Sequence, residues 1–339
     1  MRKEHFVKKT VIKYHILPPD PYFEEKNAGI NQMKQELLQL NMEKFFPEIS
    51  KEDYQESSRI FQEMLKIIED IFKSEYNFNC RDVFINNNYQ QSFNSYAYVD
   101  SNYPVFIHID QLFESLIFSF MLTMLKWAKE FEKDTKKDEY FKYLLFLLNE
   151  VGAGELPDEN AKSSLMDKIQ DDQQILNLAA GCHWMIMSFT IAHEFAHAYQ
   201  KETNFEYWDN YQKEAEFNAD KIAYDIVLKM IMNKKNKEFM LEEYTYLGPM
   251  MCMDFFDLYY FTNYVLYGMK YESRTHPTPE KRKEMLFKIV EEDIYQFNTE
   301  DGNVIYQWFC EMYDIFKQKL VRYKENGNLQ KLFVKDKES

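Results

Sequence analysis

The chain carries two histidines and a glutamate in the pattern H-E-x-x-H, at His193, Glu194 and His197. On an α-helix, residues four apart project about 40° from one another, so both imidazoles can reach one ion. Glu194 falls on the adjoining face, beside that ion but not on it, where a general base for water belongs. The pattern therefore predicts the floor of a zinc-hydrolase site.

A second acidic motif follows, with 18 residues between His197 and Glu216. Glu216 has the position of a third, carboxylate ligand, which would leave the fourth coordination site open. Asp220 lies one turn further along a helix predicted at 211–232, placed to accept the N–H of a ligand histidine. Two alternatives stay open: an ordinary solvated acidic face, and Glu214 as the ligand in place of Glu216. Together the two motifs predict Zn²⁺ as the cofactor.

This arrangement of His193, Glu194, His197, Glu216 and Asp220 resembles that of the gluzincin metallopeptidases. In that group the two histidines and the later glutamate bind zinc, and the glutamate of the first motif is the general base. The resemblance therefore implies a peptidase with His193, His197 and Glu216 on the metal.

Two further stretches are similar to the CAAX-prenyl-endopeptidase and heat-shock membrane protease family. Residues 275–282 read T-H-P-T-P-E-K-R, which resembles the family's T-H-P-x-x-x-x-R signature. Residues 93–98 read F-N-S-Y-A-Y, which resembles its N-A-F-A edge strand beside bound peptide. The chain departs from this family in having Ala196 where glycine is usual, and in a shorter interval before the third ligand. The motif layout also resembles that of the Lit-type phage-exclusion peptidases.

The resemblance implies roles for residues outside the metal motifs. His276 is the candidate for stabilising the tetrahedral oxyanion, with capping of the next helix as the alternative. Arg282 is expected to brace the site through an acidic residue. Peptide is expected to lie extended beside the edge strand, because such substrates bind as an added strand. The residues expected to contact it are Asn94, Ser95, Tyr96 and Ala97.

Composition limits the class of protein. The share of hydrophobic residues is 45 %, and only 8 glycines and 9 prolines are present, which favours a globular, mainly helical chain. The net charge of −15 disfavours nucleic acid and anionic membranes as partners and leaves a protein or peptide substrate. Four cysteines without a Cys-x-x-Cys motif, and a charged N-terminus with no apolar run behind it, indicate the cytoplasm.

The helix that must carry the first motif is predicted at 175–200. Its first 18 residues hold no formal charge and just reach the length of a membrane span. Because Asn177, His183 and Ser188 interrupt that run, we expect a buried helix instead. His183, and His108 on a predicted strand, are expected to be packed core histidines.

The remaining pattern predicts a mostly helical α+β fold: a zincin-like metallopeptidase core with a small antiparallel sheet. A single domain is expected over 1–339, with an N-terminal helical part at 1–80, the catalytic core at 81–292 and a C-terminal helix and tail at 293–339. Strands are predicted at 11–17, 83–86, 92–99 and 105–109. Helices are predicted at 30–42, 54–72, 111–129, 139–149, 247–267, 281–292 and, after a turn at Asp301-Gly302, 303–323.

The function that these residues predict is that of a zinc-dependent endopeptidase with Glu194 as general base. Two alternatives remain at this point. One is a non-catalytic binding or regulatory module with a structural zinc, which would show four protein ligands instead of three. The other is an aminopeptidase, which would need an acidic anchor for the substrate's free amine.

Overall fold

A computed structural model describes residues 51–78, 83–88, 95–98, 105–131, 137–152, 172–203, 212–232, 246–271, 273, 276–293 and 299–329. The predicted strand at 11–17 and helix at 30–42 lie outside these residues. Within them the chain is mostly helical, as predicted. The division of the chain into an N-terminal part, a catalytic core and a C-terminal part, with boundaries at residues 80 and 292, stays a prediction.

The helices and strands follow in this order along the chain. They are α1 Lys51–Glu75, β1 Val83–Asn88, β2 Ser95–Tyr98, β3 Val105–Asp110, α2 Gln111–Glu130, α3 Lys137–Gly152, α4 Gln173–Thr203, α5 Gln212–Met232, α6 Gly248–Tyr267, α7 Pro279–Asp293 and α8 Thr299–Glu325.

The 31-residue helix α4 forms the centre of the fold. It packs against α1, α2, α5 and α6 and contacts β2 and β3. Almost every side chain from Gly181 to Ala198 is buried, which explains why this stretch is uncharged and shows little amphipathic pattern. Among the described helices only α4 is long and apolar enough to cross a membrane, and 72 % of the relevant window is buried within the protein.

The three strands form one small sheet in the order β1-β3-β2. β2 pairs with β3 antiparallel, but β1 pairs with β3 parallel, so the sheet is mixed and the predicted antiparallel pairing applies to β2 and β3 alone. The physical reason lies in β3, whose Val105, Ile107 and Ile109 are fully buried. This apolar strand takes the central position, and after two chain reversals it runs in the same direction as β1. Alternation of apolar residues does not encode that order.

The start of α8 also differs from expectation. The predicted turn at Asp301-Gly302 lies inside the helix, which begins at Thr299. Gly302 is buried there, and a Cβ at this position would come within 3.0 Å of the Tyr246 hydroxyl. The glycine therefore permits close packing on a tyrosine ring rather than a turn.

Candidate metal centre

The H-E-x-x-H residues lie in the buried C-terminal half of α4. Aromatic packing fixes the side of α4 that carries Phe195 and Tyr199. The ring centroid of Phe195 lies 4.6 Å from that of Phe72, and the ring centroid of Tyr199 lies 5.0 Å from that of Phe78. These contacts hold the helix against α1 and the residues that directly follow α1. The ligand-bearing face is thereby kept in one orientation toward α5.

Helix α5 packs along this half of α4. Both helices bury alanines completely, at Ala192 and Ala196 on α4 and at Ala219 and Ala223 on α5. Such short side chains let packed helices come close together. The presence of Ala196 in place of the expected glycine is therefore compatible with close helix packing.

His193, His197 and Glu216 converge at this helix pair. Nε2 of His193 lies 3.0 Å from Nε2 of His197. The Glu216 carboxylate lies 3.4 Å from each of these nitrogens, Oε2 toward His193 and Oε1 toward His197. All three side chains are buried, and they form the one group of three potential metal ligands among the described residues. The predicted ligands are thus brought together.

The outer nitrogens of both histidines face acceptors. Nδ1 of His193 lies 2.9 Å from Oδ1 of Asp220, and Nδ1 of His197 lies 3.1 Å from Oε1 of Gln200. An acceptor oxygen beside each Nδ1 favours the tautomer protonated there, through a hydrogen bond for His197 and through the short distance to Asp220 for His193. In the neutral imidazoles both Nε2 atoms then present lone pairs toward one another and toward a carboxylate. Only a cation or an added proton makes that arrangement favourable.

The pKa shifts of His193 and Glu216 also favour a positive charge at the centre. Burial opposes charge on His193, but its contacts with Asp220 and Glu216 outweigh burial and raise its pKa well above the ordinary value. Burial also opposes charge on Glu216, but its contacts with His193 and His197 hold its pKa well below the usual range. The cluster therefore favours net positive charge between its members. Two imidazole nitrogens and one carboxylate are the donor set of a catalytic zinc site, so the residues present fit this ion.

Asp220 is fully buried and has a second partner besides His193. Arg282 on α7 donates hydrogen bonds to it from Nε, at 2.6 Å, and from Nη2, at 2.5 Å. Burial disfavours the Asp220 carboxylate, but Arg282 and His193 nonetheless lower its pKa. The guanidinium thus keeps Asp220 ionised and facing His193. The sequence predicted that Arg282 contacts some acidic residue at the site, and in the structure that residue is Asp220.

The rival ligand Glu214 is exposed in the first turn of α5 and does not belong to the ligand group. His183 and His108 do not belong to it either. His183 is buried 3.8 Å from Glu114, and burial lowers its pKa to about 3. Burial likewise lowers the pKa of His108 to about 4. Both histidines lie in the core, as expected for neutral packed side chains.

His276 lies at the rim of the centre. Its Nε2 is 3.4 Å from Oε1 of Glu216, and half of its side chain is exposed. The helix after it, α7, begins at Pro279, and the hydroxyl of the preceding Thr278 accepts a hydrogen bond from the amide of Lys281 over 3.5 Å. Thr278 therefore contributes a cap to the start of α7. Burial lowers the pKa of His276, with Glu216 acting in the opposite direction.

Glu194 is buried beside the ligand group and is not one of its members. Ser95 on β2 donates a hydrogen bond from Oγ to Oε1 of Glu194, over 3.0 Å. Ala97 is half-buried on the same strand and pairs with Ile107 of β3. Tyr96 pairs through its backbone with His108, and Asn94 lies outside the described residues.

Two contacts of the site were missed by the sequence analysis. The bond from Ser95 to Glu194 joins residues 99 positions apart, and no local pattern announces it. The contact of Gln200 with His197 was detectable, because residues three apart face one another on a helix.

In a comparison with protein-family models, the model described as Peptidase U49 aligns with residues 126–308, more than half of the chain. The matched segment contains His193, Glu194, His197, Glu216 and Asp220. No curated protein and no solved structure matches the chain. The match supports a peptidase of the Lit type and does not bear on the CAAX-endopeptidase relationship.

Proposed function

The chain belongs to the peptidase U49 family, and on that premise we propose that it is a zinc-dependent endopeptidase of the gluzincin type with a zincin-like core. One observation carries the proposal. His193, His197 and Glu216 converge as three metal donors, and Glu194, the residue after His193, is buried and is not one of those donors.

His193, His197 and Glu216 would hold the ion. A bound zinc would supply Lewis acidity, which lowers the pKa of water and polarises a carbonyl group. Asp220 and Gln200 fix the protons on the outer nitrogens of the two histidines, so that both Nε2 lone pairs stay available for the metal.

Glu194 is the general base in this proposal. Its carboxylate takes a proton from the attacking water and passes it to the leaving amine, a role worth roughly 10²–10⁴-fold in rate. The hydrogen bond from Ser95 uses one oxygen, Oε1, and so limits rotation of the carboxylate. The other oxygen remains the proton acceptor.

We propose that His276 assists the carbonyl oxygen of the substrate. Its side chain is half exposed, and its Nε2 lies 3.4 Å from Oε1 of Glu216, a proposed metal ligand, which supports a role at the open side of the centre. A donor at this position stabilises the negative charge that develops on the oxygen during attack.

The substrate in this proposal is a protein or peptide segment bound along β2. β2 is at the edge of the sheet, with β3 on one side and no described strand on the other. An extended peptide can add to such an edge through backbone hydrogen bonds. Asn94, Ser95, Tyr96 and Ala97 would form that docking edge, and the Ser95 bond would place it next to Glu194.

The two alternatives receive less support. A structural zinc site would use four protein ligands, whereas the described residues bring together three. An aminopeptidase would use a further acidic side chain for the substrate's amine, and nothing in the described part of the chain favours such an anchor.

We propose a cytoplasmic location, which the three free cysteines among the described residues support. The net charge of −15 supports the absence of nucleic-acid and membrane partners.

The test compares purified wild type with Glu194→Gln. Both are expected to contain zinc, because Glu194 is not a ligand, and only wild type is expected to cleave members of a mixed peptide library. Zinc in both proteins with equal cleavage by both would remove Glu194 from the mechanism. The absence of zinc from wild type would refute the metallopeptidase proposal itself.

A further inference from the structure

Gln200 lies on α4 one turn beyond His197, and its side chain is almost completely buried, with 3 % of the residue exposed. Both the oxygen and the nitrogen of a buried amide need hydrogen-bond partners, because an unpaired polar group in the interior is destabilising. Both ends of the Gln200 amide have partners in this structure.

The two partners belong to the two ligand helices. Oε1 of Gln200 lies 3.1 Å from Nδ1 of His197 on α4, and Nε2 of Gln200 donates to the backbone carbonyl of Ala215 on α5, over 2.8 Å. The second bond decides the direction of the first. Because the amide nitrogen is used by a carbonyl oxygen, the oxygen end faces His197 and can only accept, so His197 donates from Nδ1.

Ala215 is the residue immediately before Glu216 in the chain. One side chain therefore orients a proposed ligand on α4 and also holds the backbone next to the proposed ligand on α5. We propose that Gln200 is a positioning residue of the metal centre that sets the tautomer of His197 and the separation of His197 from Glu216. The inference rests on the proposed zinc function and adds to it a link between the two ligand helices.

Three substitutions separate the two bonds. Gln200→Met keeps the length of the side chain and removes both bonds. Gln200→Glu keeps an acceptor for His197 and removes the donor to Ala215. Gln200→Asn keeps the amide on a stem one methylene shorter, which cannot make both bonds at once.

The measurement is zinc affinity, obtained by titrating the metal-free protein in competition with a chelating indicator. Loss of a partner to a ligand histidine usually costs about 10–100-fold in metal affinity, and that loss is expected for Gln200→Met. Gln200→Glu is expected to regain part of it, because the orientation of His197 is restored. The visible spectrum of the Co²⁺-loaded protein is expected to change in the Met variant and to return toward wild type in the Glu variant.

Gln212→Met is the matched control. Gln212 is exposed on α5, the second ligand helix, and the same chemical change there is expected to leave zinc affinity unaltered. Thermal unfolding of the metal-free proteins identifies variants that fail to fold. If Gln200→Met is among them, Gln200→Asn takes its place with the same expected loss.

The outcomes separate this inference from the proposed function. Zinc binding by wild type together with unchanged affinity in folded Gln200→Met or Gln200→Asn would overturn the role of Gln200 alone. If the zinc affinity of Gln200→Glu is no higher than that of Gln200→Met, or of Gln200→Asn where the Met variant does not fold, the claim that Gln200 orients His197 is wrong. A wild-type protein that binds neither zinc nor Co²⁺ would overturn the proposed function, and this inference with it.

Discussion

Ser95 and Glu194 are joined by a hydrogen bond of 3.0 Å, from the hydroxyl of the edge strand β2 to a carboxylate oxygen on the central helix α4. The bond connects two regions that the sequence analysis treated separately, the expected substrate strand and the expected general base. In the proposed mechanism it makes the position of the base depend on the strand along which substrate docks.

Replacement of Ser95 tests this dependence. Ser95→Ala is expected to lower kcat by about tenfold and to leave zinc content unchanged, because it removes one hydrogen bond to a charged group, worth about 1.5–3 kcal/mol at most. Ser95→Thr keeps the hydroxyl and is expected to stay near wild type. Steady-state kinetics on a peptide cleaved by wild type gives kcat and KM separately. Equal kcat in the Ala variant would mean that the bond does not position the base.

The third ligand is tested by three single variants on α5. Glu216→Ala is expected nearly to abolish zinc binding, since it removes one of three ligands, whereas Glu214→Ala is expected to be mild because Glu214 is exposed and outside the ligand group. Asp220→Ala is expected to weaken zinc affinity by about 10–100-fold, because it affects the metal through His193. Zinc titration of the three proteins decides the assignment. A severe Glu214 variant with a mild Glu216 variant would reverse it.

Buried histidines predict a dependence of stability on pH. Burial lowers the pKa of His108 to about 4, against 6.5 for a free imidazole. Between these values the unfolded chain binds a proton that the folded protein does not, so the free energy of unfolding falls as the pH falls. The loss from this one group is about 2 kcal/mol between pH 7 and pH 5.

His108→Gln is therefore expected to reduce the difference in unfolding free energy between pH 7 and pH 5. Urea titration of metal-free wild type and variant at both pH values measures it, and removing the metal keeps zinc release out of the comparison. A difference as large in the variant as in wild type would show that His108 is not kept neutral by burial.

Local pattern predicted α1 and the proximity of His193 to His197 for identifiable reasons. The period of Met64, Ile68 and Ile71 predicted α1, and all three residues are buried in it. The spacing of His193 and His197 placed both on one face of a helix, where their Nε2 atoms lie 3.0 Å apart. These relationships lie within one helix, so a local period is sufficient to specify them.

The features that sequence did not predict depend on contacts between distant elements. The parallel pairing of Val83 with Val105 was not predicted, because it depends on which strand is central. The turn at Gly302 was wrong because the glycine accommodates Tyr246, more than fifty residues earlier in the chain. The role of Ser95 depends on a tertiary contact between β2 and α4. Neither composition nor periodicity carries that information.

The central claim is that His193, His197 and Glu216 hold one zinc ion. Elemental analysis of the purified protein, expressed with zinc available, tests it most directly when wild type is compared with His193→Ala and His197→Ala. About one zinc per chain is expected in wild type and essentially none in either variant, because each substitution removes one of three donors. Wild type without zinc, or zinc retained at wild-type levels in both variants, would contradict the account.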